Sequence, residues 1–145
     1  MVRTAATQLV TKRAAHLRFE RLLAQAMIAR DPVAAMRAIA DDASLPEELR
    51  QAAAAADPRG VEMTALLVAR LRFERLIQGS IEAASWFERE PDQFAAAFRE
   101  YHQTVAPVVF FPADEGRLFA DWLRGRGGAR NLMHYRMSAQ HDQTR

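Results

Sequence analysis

Apolar side chains recur along most of this chain at spacings of three and four residues, and alternation with a period of two is almost absent. That rhythm belongs to helices that bury one face. Over residues 4–29 it puts Leu9, His16, Phe19, Leu22, Leu23, Ala26 and Met27 on one stripe, predicting a long helix with His16 half-buried. Asp31-Pro32 ends that helix and opens another, because Asp can accept from free first-turn amides and Pro tolerates the first helical position. Val33, Met36 and Ile39 make the new helix amphipathic. Ser44-Leu45-Pro46-Glu47 has the form of a capping box, with Ser44 as cap, ahead of a helix carrying Leu49 and the alanines 52–56. Asp57-Pro58 repeats the stop-and-start signal for a helix reaching about Gln78. Gly79-Ser80 predicts a break, followed by helices over 81–89, 91–103 and 112–124. Pro107 disfavours helix before it, and Val108-Val109-Phe110-Phe111 has strand character with no second strand to pair it. That segment reads as a buried linker. Beyond Gly125 the period is lost, and 125–145 reads as a flexible basic tail.

A repeat organises these elements. Leu17-Arg18-Phe19-Glu20-Arg21-Leu22 recurs unchanged as Leu71-Arg72-Phe73-Glu74-Arg75-Leu76. After each copy come an acid-Pro pair (Asp31-Pro32, Glu90-Pro91) and an apolar-Pro opening with an acid close behind (Leu45-Pro46-Glu47-Glu48, Phe111-Pro112-Ala113-Asp114). The expectation is an all-α fold, with six to seven short helices in two similar units, about 14–57 and 68–124, packed as one globule over 1–124. With the units related by a two-fold axis, Phe19 would meet Phe73, and each glutamate would pair with the other copy's arginine. Packing would dominate, since burying each phenylalanine stabilises by roughly 1.5–3 kcal/mol and a surface ion pair by about 0–1 kcal/mol.

Composition agrees with helix: 29 of 145 residues are alanine, the best helix former. One lysine against 19 arginines, beside so much alanine, fits coding bias in a GC-rich bacterial genome. With no cysteine, disulfides, thiolate metal sites and cysteine nucleophiles are excluded. Neither a signal sequence nor a membrane span is visible, so the expected location is cytoplasmic. The net charge of +2 is unevenly placed: +5 over 1–30, −7 over 31–123 and +4 over 124–145. Basic ends on an acidic body can steer toward an anionic partner or toward the chain's own middle.

Candidate chemistry is sparse. His16, His102, His134 and His141 fall in none of the spacings that put two metal ligands on one helical face. No cofactor or metal is expected, and the protein reads as non-enzymatic. Glu100, Tyr101 and His102 are the one cluster suited to acid–base work. Ala56, Gly60 and Val61, followed by Thr64 and Leu66, approximate a helix-turn-helix spacing, although Pro58 disfavours its first helix. Arg124, Arg126, Arg130 and Arg136 with Tyr135 could follow a phosphate backbone. Nine of the twelve aromatics fall within residues 86–122. Among them Trp86, Phe87, Phe94, Phe98, Tyr101 and Trp122 either form a core or line a groove for a protein or peptide partner.

The stretch Asp31-Pro32-Val33-Ala34-Ala35-Met36, with Leu45-Pro46-Glu47-Glu48-Leu49 and Ala56-Asp57-Pro58, resembles the short helical domains related to the LigA subunit of extradiol dioxygenases. It is also similar in cadence to Nif11-type leader segments of ribosomally made peptide natural products. Both resemblances imply a non-catalytic domain that caps an enzyme partner or is recognised by a modifying enzyme. The expected function is therefore an accessory or adaptor protein that binds a protein or peptide. A small DNA- or RNA-binding regulator using the basic N-terminal helix and tail is the alternative.

Overall fold

The computed structural model describes residues 2–126, with side chains from Thr7 onward. Seven helices and no strand occur among them: α1 (Val2–Ile28), α2 (Pro32–Ala40), α3 (Glu47–Ala54), α4 (Pro58–Gly79), α5 (Ile81–Arg89), α6 (Pro91–Thr104) and α7 (Pro112–Gly125). Two compact units divide the chain at Ala69 and Arg70, inside α4. Local sequence explains most helix starts. Asp31 accepts from the Ala34 amide at 2.9 Å to cap α2, Asp57 from the Gly60 amide at 2.8 Å, and Ser80 from the Ala83 amide at 3.1 Å to cap α5. Ser44 departs from its expected role: its amide and hydroxyl both donate to Asp42, and α3 begins behind Pro46 with no side-chain cap.

In the first unit, α1 packs on α2 and α2 on α3. Ala26, Met36, Ile39, Leu45, Ala53 and Val61 form the core, flanked by Phe19, Leu22 and Leu23. Small side chains at Ala26 and Ala53 let these short helices approach closely. His16 is exposed, not half-buried, and one of its ring nitrogens bonds the Lys12 carbonyl oxygen. Gly60 lies inside the first turn of α4, so the spacing that approximates a helix-turn-helix is a helix start.

The second unit is built on rings. Leu76, Trp86, Phe94, Phe98, Tyr101 and Phe119 are buried together, with Phe73 and Trp122 against them. Phe73 alone makes edge contacts with Phe87, Phe94 and Phe98 at centroid separations of 5.2–5.8 Å, a preferred aromatic geometry. Phe19 has no ring contact among the described residues and packs on aliphatic side chains. Each phenylalanine is thus half-buried within its own unit, in unlike surroundings. A Cβ on Gly79 would lie 2.8 Å from the Ala113 amide nitrogen and overlap the Pro112 carbonyl, and one on Gly116 would lie 2.9 Å from the Gly79 oxygen. These two glycines let the start of α7 lie directly against the end of α4.

Candidate functional site

That close approach decides where α7 puts its first-turn acids. Asp114 stays at the surface and pairs with Arg117. Glu115 turns inward, and Arg72, two turns before the end of α4, donates from Nε to its Oε1 at 2.7 Å. Both side chains are 0 % exposed. The Tyr101 hydroxyl donates to the same oxygen, and the Arg72 guanidinium lies 4.3 Å from the Tyr101 ring centroid. Arg72 also donates to the carbonyls of Val105 at 2.5 Å and Ala106 at 3.5 Å, tying down the segment after α6. A buried pair of this kind offers little net stability over an apolar replacement, yet breaking it leaves an uncompensated charge and is costly.

Neighbouring titrations follow from this burial. The Tyr101 hydroxyl is held well above its usual pKa, first by desolvation and then by its bond to Glu115. His102 is pushed below its ordinary value, first by burial and then by the charge of Arg72. Its ring stacks on Phe98 at 5.8 Å, and Nδ1 has no hydrogen-bond partner among the described residues. The second oxygen of Glu115 is likewise unpartnered.

The expected acid–base cluster is not assembled. Tyr101 and His102 are buried, whereas Glu100 is half exposed and pairs with Arg126. Of the residues expected to line an aromatic groove, Trp86, Phe94, Phe98 and Tyr101 lie inside the core, because they fill the space between α4, α5, α6 and α7. Trp122 is partly buried, and Phe87 sits at the edge. Arg124 pairs with Asp121, and Arg126 lies over the Trp122 ring, so both are engaged within α6 and α7. Arg130, Arg136, Tyr135, His134 and His141 lie outside the described residues.

Compared with protein-family models, curated proteins and solved structures, the chain finds no match. No group of metal-ligating side chains occurs among the described residues, and none of the helices is long and apolar enough to cross a membrane.

Arg72 and Glu115 were both missed from sequence, although the helical period held a signal. Arg72 lies one turn before buried Leu76, and Glu115 one turn before buried Phe119. A charge on an apolar stripe asks for a buried partner. The exposed apolar surface is also elsewhere than expected. Met63, Leu66 and Leu67 of α4 are exposed at spacings of three and four, with exposed Arg59 one turn earlier. Leu9, Val10 and Leu17 of α1 are exposed as well. The segment from 105 to 111 is not a buried linker throughout: Val105 packs against the core and Pro107 and Val109 are half-buried, whereas Val108, Phe110 and Phe111 are exposed. Two shallow clefts mark the first unit. One of about 360 Å³ is lined by Met36, Ala53 and Val61, and one of about 410 Å³ by Thr11, His16 and Glu48.

Proposed function

We propose that this chain is a non-enzymatic accessory protein that binds a protein partner, taking an amphipathic helix of that partner on the exposed face of α4. The observation that carries this reading is the row Met63, Leu66 and Leu67, exposed on a helix whose opposite side supplies Val61 to the core. Residues at these spacings share one face, and such a row suits the ridge of a second helix. Arg59 at the head of the row would favour an acid at the matching end of the partner. Engagement of the candidate acid–base groups also supports a binding role, since the Tyr101 hydroxyl is spent on Glu115 and Glu100 on Arg126.

The test is affinity capture from the source cell with wild type and the double variant Met63→Asp, Leu66→Asp, after circular dichroism shows that both are equally helical. Wild type should retain a partner that the variant loses. If every captured protein binds both equally, the α4 face is not the contact.

A further inference from the structure

The long helix α1 carries two unlike faces. Phe19, Leu22, Leu23 and Ala26 turn into the core of the first unit. On the far side Leu9, Val10 and Leu17 are 70 %, 70 % and 46 % exposed. At helical spacing these three share about a third of the circumference with Arg13, Glu20 and Arg21. Every side chain from Thr7 to Ala14 is exposed, so the rest of the unit leaves this part of the helix open to solvent. Arg13 and Arg21 have no ion-pair partner among the described residues, whereas Arg18, outside this arc, is committed to Asp42. Glu20 is the one acid within residues 1–30, which carry +5 in all.

We propose that this face of α1 seats the protein on an anionic lipid surface, with the helix lying in the plane of the headgroups. Charge selects the occupant. Residues 31–123 carry −7, which the same surface repels, so contact is confined to the basic helix. Among anionic partners, the apolar residues decide for lipid over nucleic acid. A phosphate backbone engages the arginines but leaves Leu9, Val10 and Leu17 in water. At a bilayer interface both kinds of side chain find a place. The leucines and the valine meet the acyl boundary, and the arginines bond headgroup phosphates with their stems along the apolar strip. The helix is not apolar enough to cross a membrane, so it lies on one. Three large apolar side chains are few, so attachment needs the charges as well and should fail on neutral lipid or in high salt.

This inference does not rest on the α4 reading and is tested on the purified full chain with lipid vesicles. Co-sedimentation compares phosphatidylcholine alone with phosphatidylcholine containing about 30 % phosphatidylglycerol, at about 0.05 M and about 0.5 M NaCl. Wild type should sediment with the anionic vesicles, and at low salt only. Leu9→Gln with Leu17→Gln, and Arg13→Gln with Arg21→Gln, alter exposed positions and should keep the circular dichroism of wild type. Each pair should weaken binding by about tenfold or more. Met63→Gln with Leu66→Gln on α4 should bind as wild type does. A wild type that ignores anionic vesicles, binds neutral ones equally, or is unaffected by Leu9→Gln with Leu17→Gln would overturn the proposal. So would release from the vesicles by an equal charge of duplex DNA, which would make nucleic acid the partner.

Discussion

The same six residues are used in two ways. In both copies the leucine at the first position is exposed and the phenylalanine is half-buried, as identical helical geometry requires. The arginine at the second position diverges. Arg18 is 53 % exposed and reaches Asp42 at 3.0 Å, while Arg72 is 0 % exposed and reaches Glu115 at 2.7 Å. Each takes an acid from later in its own unit, 24 residues on in the first and 43 in the second. Burial of a side chain thus depends on what the rest of the unit brings over it. In the first unit that is a short turn at the surface, in the second α7 lying against α4 through Gly79 and Gly116.

The sharpest way to break this contrast is to remove one partner. Arg72→Ala or Glu115→Ala should each cost about 3–5 kcal/mol in denaturant unfolding, since a buried charge is stranded. Arg72→Met combined with Glu115→Leu should recover most of that loss. Next comes the close crossing. Gly79→Ala should cost about 1–3 kcal/mol, because the added carbon meets backbone that cannot move away.

A smaller effect separates the units by pH. The folded-state pKa of His102 lies below its unfolded value, so the unfolded chain binds the proton first. Stability should therefore be full above the ordinary histidine pKa of about 6.5 and fall as pH drops through it. His102→Phe should flatten this acid slope in melts across that window. Smallest of all, Arg18→Ala should shift the melting temperature barely beyond error, an exposed pair being weak.

Helix limits were legible because punctuation is local. Asp31-Pro32, Asp57-Pro58 and Gly79-Ser80 act within a turn of where they stand, and the observed ends fall within two residues of those expected. Ser44 misled because Asp42, two residues back, competes for its hydroxyl. The aromatic concentration of 86–122 was legible as a feature but not as an environment, since rings at helical spacing look alike in a core and in a groove. Val108 to Phe111 read as buried from apolarity alone, which says nothing about whether another element covers the segment. The fate of Arg72 depended on Glu115, distant in sequence and brought near by two glycines.

A double-mutant cycle at each arginine tests the contrast most directly, using Arg72→Ala with Glu115→Ala and Arg18→Ala with Asp42→Ala. Buried in the second unit and exposed in the first, the pairs should give a coupling of several kcal/mol for Arg72–Glu115 and one indistinguishable from zero for Arg18–Asp42. Equal couplings, or strictly additive losses at Arg72 and Glu115, would contradict the claim that one copy of the hexapeptide holds its unit together from within while the other only decorates a surface.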